Sequence, residues 1–293
     1  MIVERAEVLG YCMGVRKAVD AVWRASCGKS KVFTFGPLIH NPQALALLIQ
    51  KGIAPIDPEQ FSGEENFSGA KIVIRAHGIS PAEKDKIKKT GAEIIDATCP
   101  RVLSSQKRAK KYAKDFLVIL AGDKNHGELI GIMGYVLSKK GAQCVIVQNA
   151  KEAEHILLPA SVEKSGSAVL IAQTTIKKSE YDIIAEALQK RLPNLIVLNT
   201  ICPAASERQE ALKKLANKTE ALLVIGGKNS ANTKRLLQTA LELKKPAWLI
   251  ENACEIPNEI YAYHSVGLTA GASTPGFIID EVEKALVKQS GSC

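Results

Sequence analysis

No Cys-x-x-Cys pair occurs anywhere in the chain, which argues against zinc ribbons and thioredoxin-like redox motifs. No Gly-x-Gly-x-x-Gly follows the first strand-like run. The stretch from Gly122 to Gly127 has the glycine spacing of a P-loop, but Glu128 follows where Lys-Ser/Thr is needed, so neither a dinucleotide fold nor a nucleoside triphosphatase is supported. No apolar run approaches the roughly 20 residues of a membrane span. Aromatic residues make up only 5% and are not interleaved with basic clusters, which argues against a nucleic-acid-binding regulator. Seven cysteines are an odd count, so a disulfide framework is not expected. Met1–Gly14 carries Glu4, Arg5 and Glu7 inside its apolar stretch and does not read as a signal peptide. The expected location is the cytoplasm.

What is present reads as a globular protein. The chain has 293 residues, 46% apolar and 24% charged, enough for two or three domains with ample core. The net charge is +9, which suits an anionic substrate or an acidic protein partner. Lys107, Arg108, Lys110, Lys111 and Lys114 form one basic cluster on a predicted helix; taken alone, such a cluster reads as a solvated surface.

Strand and helix periodicities alternate throughout. Strands are predicted at 2–9, 31–35, 71–76, 93–96, 116–121, 143–147, 168–172, 195–198, 221–225, 247–250 and 266–269. Helices are predicted at 15–26, 42–51, 81–90, 100–115, 128–140, 178–191, 203–217, 231–243 and 275–288. Short apolar strands between helices imply parallel sheets covered on both faces. Residues 57–69 lack periodicity and read as a surface loop, and 289–293 read as a frayed tail.

Three cysteines share one device. Cys12, Cys99 and Cys202 each end a strand-like run and open a helix-like one, with Pro100 and Pro203 suited to a first helical turn. A thiolate there feels the positive end of the helix dipole. The next strand after each cysteine ends in Gly36, Gly122 or Gly226. At nearly the same distance from its cysteine each third then carries His40, His126 or Ser230. A later strand in each third ends in a second polar tip, at His77, Thr174 and Ser273. Ligands of open α/β sheets bind outside the carboxyl ends of the strands, so these nine positions should converge. The repeat predicts three units, 1–98, 99–198 and 199–293.

Three thiolates could hold zinc with a fourth ligand, or an iron–sulfur cluster. Widely separated cysteines without a short ligand knuckle favour the larger object. A four-iron cluster on three cysteines leaves one iron open. The histidines and hydroxyls, with Asn232, form a donor-rich set suited to a diphosphate. Glu128 is the acid of the set, a proton source with His126 and Thr174 as relay. Cys27, Cys144 and Cys254 read as buried structural thiols, Cys293 as a tail thiol, and His155 and His264 as structural or solvated.

These residues resemble one family. The motifs are Cys12-Met13-Gly14-Val15, Gly36-Pro37-Leu38-Ile39-His40-Asn41-Pro42, Ala76-His77-Gly78, Asp96-Ala97-Thr98-Cys99-Pro100, His126-Gly127-Glu128 and Gln173-Thr174-Thr175. Thr200-Ile201-Cys202, Gly227-Lys228-Asn229-Ser230 with Asn232, and Thr269-Ala270-Gly271-Ala272-Ser273 complete them. Across essentially the whole chain they are similar to the IspH/LytB family of 4-hydroxy-3-methylbut-2-enyl diphosphate reductases. The resemblance implies an α/β trefoil, three αβα units with pseudo-threefold symmetry and mostly parallel sheets around a central [4Fe-4S] cluster. Cys12, Cys99 and Cys202 would ligate it, and the open iron would take the substrate hydroxyl. His40, His77, His126, Thr174, Ser230, Asn232 and Ser273 would hold the substrate, and Glu128, Thr174 and His126 would deliver protons. The implied reaction, the last step of the non-mevalonate pathway, is a two-electron, two-proton loss of that hydroxyl as water, giving isopentenyl and dimethylallyl diphosphate. Ferredoxin or flavodoxin would be the electron donor, with no nucleic-acid or membrane partner. Ala231 stands where many members have a second Ser, and Gly276 where an Asp is common.

A non-redox [4Fe-4S] hydro-lyase is the alternative reading. It would need an arginine for a substrate carboxylate, and Arg75 is the candidate.

Overall fold

Runs of four to six aliphatic residues form the middle strands because they can be buried on both faces. In a computed structural model, every residue of Leu117–Ala121, Ala168–Ala172 and Ala221–Ile225 is buried. The structure describes all residues except 40, 161, 163–165, 229 and 291–293. His40, Asn229 and Cys293 therefore lie outside the described residues.

Three four-stranded parallel sheets carry the fold. The strands are β1 (Ile2–Arg5), β2 (Val32–Phe35), β3 (Ala54–Ile56), β4 (Lys71–Ile74), β5 (Glu93–Asp96) and β6 (Leu117–Ala121). They continue with β7 (Cys144–Val147), β8 (Ala168–Ala172), β9 (Ile196–Leu198), β10 (Ala221–Ile225), β11 (Ala247–Ile250) and β12 (Ser265–Ala270). The sheet orders are β3-β2-β4-β5, β7-β6-β8-β9 and β11-β10-β12-β1. These are one topology used three times. In the third sheet the fourth place goes to the first strand of the chain, with Ile2 opposite Ser265 and Arg5 opposite Leu268. The expected α/β fold with parallel sheets is what the chain adopts.

The described helices of at least six residues are α1 (Met13–Ser26), α2 (Pro42–Gln50), α3 (Pro81–Lys89), α4 (Pro100–Tyr112), α5 (Gly127–Leu137), α6 (Ala150–His155), α7 (Lys178–Gln189), α8 (Ala204–Ala216), α9 (Ala231–Glu242) and α10 (Gly276–Ser290). Their starts follow from local chemistry. Ser80 and Glu83 make a reciprocal capping box before α3. Asn41 and Asn149 cap α2 and α6. Helix α10 runs to Ser290, two residues into the segment expected to fray.

Contacts divide the chain into two compact units. One comprises Met1–Val19, Pro37–Ala54 and Pro203–Cys293; the other comprises Asp20–Gly36 and Pro55–Cys202. In the first, alternate residues of β10 face opposite ways. Ala221, Leu223 and Ile225 pack with α10, whereas Leu222 and Val224 pack with α8 and α9. Gly267 in β12 has no side chain because Leu215 and Leu222 fill that space; an added Cβ would sit 2.7 Å from Leu222 Cδ2. The second unit holds the other two sheets. Leu117, Ile119 and Leu170 pack toward α7, and Val118, Leu120 and Ile171 pack toward α4 and α5. Each such fully buried aliphatic contributes about 1.5–3 kcal/mol. Residues 57–69 form neither helix nor strand. They are pinned by Phe61, whose ring meets Phe35 edge-on at 5.3 Å, and by Phe67 against Phe33 at 5.0 Å.

Three cysteine expectations need adjustment. Cys27 and Cys254 are exposed, not buried. Cys27 follows the last turn of α1, past its apolar stripe, and Cys254 lies in a surface 3-10 turn. Cys144 is half-buried, and burial pushes its thiol up to about 12.

Candidate active site

Each sheet ends in the same hydrogen bond. The Cys99 N–H donates to the Ala76 carbonyl (2.9 Å), the Cys202 N–H to Thr174 (2.8 Å) and the Cys12 N–H to Ala272 (3.2 Å). Every cysteine thus follows the fourth strand of a sheet and is tied to the tip of the third. The sulfurs stand half-buried at the starts of α4, α8 and α1. The bond sets Thr174 level with Ala76 and Ala272, one residue earlier than matching it to His77 and Ser273 requires. A second bond also repeats. Gly36, Gly122 and Gly226 donate to Ile56, Val147 and Ile250 at 2.8–2.9 Å. All three glycines have positive φ, +76°, +149° and +146°, which admits glycine and strains other residues.

In the larger unit, the loop after β6 leads to His126, which caps α5. Its Nδ1 accepts from the Glu128 N–H at 3.2 Å, so the neutral ring carries its proton on Nε2. The His77 and His126 rings meet edge to face, centroids 4.9 Å apart. Glu128 sits in the first turn of α5, only 1% exposed. Its Oε1 accepts from the Thr174 N–H at 2.7 Å, and its Oε2 lies 2.6 Å from the Thr174 hydroxyl. Burial pushes the Glu128 carboxyl above its ordinary value, and the two Thr174 donors offset only part of that rise. A carboxyl that burial makes hold its proton more tightly is better matched to a general acid than an exposed one.

This unit also holds groups that periodicity does not reveal. Gln173 Oε1 accepts from the Asp123 N–H (2.9 Å), tying the second and third strand tips together. Gln106, buried on α4, presses its Nε2 toward Gly78, where a Cβ would come within 2.6 Å. Arg75 lies against Gly36 and Gly127; its Nη2 would be 2.9 Å from a Cβ on Gly127. Burial lowers its pKa, and Glu83 partly offsets this.

In the other unit, Ser230 caps α9, its Oγ accepting from the Thr233 N–H at 3.3 Å. Asn232 is half-buried, and its Nδ2 is buried without a hydrogen-bond partner. Ser273 is half-buried at the tip of β12. Behind them lie two buried hydroxyls, Thr233 and Thr274, each 1% exposed. Thr274 donates to the Ile225 carbonyl at 3.0 Å. A Cβ on Gly271 would stand 2.3 Å from Thr233 Oγ1, so these glycines are the room the threonines occupy.

Among the described residues no group of three or more His, Cys, Asp or Glu side chains is gathered as for a single metal ion. His155 and His264 are exposed. A cleft lined by Lys114, Phe116, Gly141, Gln143 and Ser167 lies at the amino ends of β6 to β8, the wrong end of that sheet for this chemistry.

A four-stranded parallel sheet used three times, with thiol, imidazole, hydroxyl and carboxyl groups at its carboxyl ends, defines an α/β enzyme. Comparison with known proteins is specific. The family described as LytB protein matches residues 3–287, and the chain belongs to that family. A 4-hydroxy-3-methylbut-2-enyl diphosphate reductase of Treponema denticola is 62% identical over 292 residues, covering 98% of this chain and 100% of the relative. The reductase of Aquifex aeolicus is 35% identical over 284 residues, covering 96% and 94%. The solved structure of (E)-4-hydroxy-3-methyl-but-2-enyl diphosphate reductase, the terminal enzyme of the non-mevalonate pathway, superposes with a TM-score of 0.81 at 34% identity. It covers 98% of this chain and all of the other.

Proposed function

We infer that the chain is a 4-hydroxy-3-methylbut-2-enyl diphosphate reductase, an oxidoreductase of isoprenoid biosynthesis. It removes the substrate hydroxyl as water, using two electrons and two protons, and yields isopentenyl and dimethylallyl diphosphate. The observation that carries the chemistry is the buried Glu128, held through both the N–H and the hydroxyl of Thr174. The hydro-lyase alternative finds no support, because the relatives are named as reductases.

The cofactor proposed is a [4Fe-4S] cluster, ligated by Cys12, Cys99 and Cys202. The donor set fits it. All three thiols are free of disulfides, each is fixed by its own amide hydrogen bond, and soft thiolates suit iron–sulfur centres. When bound, the cluster supplies electrons and one open iron for the departing hydroxyl. The chain's own groups do the rest. His40, His77, His126, Thr174, Ser230, Asn232 and Ser273 are proposed to hold the diphosphate substrate; the unsatisfied Nδ2 of Asn232 supports this, since it is a buried donor in want of an acceptor. Glu128 releases its proton through the Thr174 hydroxyl, with His126 beside it, and is reloaded between turnovers.

The repeats are proposed to run 1–98, 99–198 and 199–293. The proposed electron donor is ferredoxin or flavodoxin, and the proposed location is the cytoplasm. No described helix is long and apolar enough to cross a membrane. The test is Mössbauer spectroscopy on protein prepared without oxygen, with and without the diphosphate substrate. One distinct iron that changes on adding substrate is expected. A four-iron signal indifferent to the diphosphate, or no iron after reconstitution, overturns the reading.

A further inference from the structure

Helix α4 begins at Cys99, which occupies its N-cap position, and contains no acidic residue. Its buried side is Val102, Ser105, Gln106 and Ala109. Its other side carries Arg101, Lys107, Arg108, Lys110 and Lys111, with Lys114 just beyond, and all six are exposed. None of the six is in a salt bridge among the described residues, although lysines elsewhere in the chain are paired. Lys84 bonds Asp96, Lys124 bonds Glu152 and Lys228 bonds Glu255. The nearest compensation comes from the neighbouring helix α5, whose Tyr135 ring lies 6.0 Å from Lys110 Nζ; of the two acids that flank α4 in sequence, Asp96 is paired with Lys84 and Asp115 lies just past the far end. Like charges at i, i+3 and i, i+4 repel, so this face costs the folded chain free energy unless something acidic covers it.

We propose that the exposed face of α4 is the docking surface for a small acidic electron-transfer protein of the ferredoxin type. The proposal rests on the reductase reading, which requires electrons from outside. Charge selects the occupant: six unpaired cations against an acidic carrier steer encounter. Position agrees with charge. Lys107 and Arg108 lie about 12 Å along the helix from Cys99 at 1.5 Å per residue, and Arg101 lies within the first turn. A carrier seated along α4 reaches the end where a proposed cluster ligand stands. Two electrons from a one-electron carrier require two dockings per turnover, so a surface that attracts and releases quickly is suited to the task. A nucleic acid is the competing occupant, but the two tyrosines beside this face are already engaged, Tyr112 edge to face with Phe116 and Tyr135 under Lys110, and neither is a free platform for base stacking.

The test is the triple charge reversal Lys107→Glu, Arg108→Glu and Lys111→Glu, on side chains with no partner to lose. Turnover by the cluster-loaded protein is measured with reduced plant-type ferredoxin and, separately, with reduced methyl viologen. Binding of oxidised ferredoxin to the cluster-free chain is followed by surface plasmon resonance across a salt series. The expected result is a KM for ferredoxin raised about tenfold or more, binding weakened to match, and viologen-driven turnover unchanged. Wild-type binding should fall with salt and the variant's should not. Unchanged ferredoxin KM and binding overturn the proposal. So does equal loss with both reductants. Failure of the wild type to reduce the diphosphate with viologen overturns the reductase reading instead, and the two failures are distinguishable.

Discussion

Replacing Glu128 by Gln is the sharpest probe of the site. The amide fits the same place. Its Oε1 can keep the Thr174 N–H, 2.7 Å from the carboxylate oxygen, and its Nε2 can donate to the Thr174 hydroxyl, which turns to accept. Shape and packing are retained, and only the transferable proton is lost. A positioned general acid contributes 10²–10⁴ in rate, or about 3–5 kcal/mol of barrier. Turnover with methyl viologen should therefore fall by about that factor, with iron content and substrate affinity unchanged. Stability supplies an independent reading. Burial raises the Glu128 pKa from its ordinary 4.5, so the folded chain holds a proton that the unfolded chain releases. The protonated acid's contribution is full below 4.5 and declines as pH rises through the raised folded value, by at most about 1.4 kcal/mol per pH unit. Glutamine does not titrate. The wild type should lose stability relative to E128Q from about pH 4.5 upward, in thermal unfolding of the cluster-free proteins. Wild-type turnover in E128Q would move the acid elsewhere, and a pH-independent stability difference would show that Glu128 is not held protonated by the fold.

Further substitutions separate the remaining roles. Cys99→Ser should abolish a stable four-iron cluster, read by iron and sulfide analysis; full iron content would remove Cys99 from the ligand set. Asn232→Ala takes away a buried unsatisfied amide, so substrate binding by calorimetry should weaken about 10- to 100-fold, and unchanged affinity would leave that nitrogen without a ligand. Thr174→Val removes a hydroxyl that lowers the Glu128 pKa. Its carboxyl should titrate still higher, as followed by the infrared carboxyl band, and a downward shift would refute the assigned balance. Gly122→Ala places a Cβ 2.3 Å from Gln173 Oε1 at a φ of +149°, so a loss of about 1–3 kcal/mol in chemical unfolding is expected; a neutral result would mean the strand tips rearrange freely.

The alternation of strand and helix was legible because aliphatic runs and capping residues are local signals. Glu93–Asp96, Ala168–Ala172, Ala221–Ile225 and Ala247–Ile250 coincide with their predicted bounds. The first strand is shorter than the predicted 2–9: it ends at Arg5, with one further bond from the Ala6 N–H to the Leu268 carbonyl at 2.9 Å. Three-residue β3 and six-residue α6 carry too few apolar positions to show a period. Sheet membership was not legible either: nothing local says that Ile2 pairs with Ser265. The thiol positions, Glu128 and Thr174 could be named from sequence, but the bond between the last two spans 46 residues. Thr233 and Thr274 escaped because a buried hydroxyl behind a glycine has no periodic signature.

The pairing of β1 with β12 bears on how the molecule is made. The ribosome releases Ile2–Arg5 about 260 residues before their neighbours Ser265–Leu268. At roughly 5–20 residues per second the opening strand waits on the order of 10–50 s without its sheet. During that interval its open edge can recruit the wrong strand, whereas β2-β4-β5 and β6-β8-β9 can zip as they emerge. The third sheet is therefore the late and vulnerable step in biogenesis. Circular permutation that moves residues 1–12 behind the C-terminus would restore the local strand order of the other two sheets, and it should shorten the folding delay while leaving the finished sheet the same.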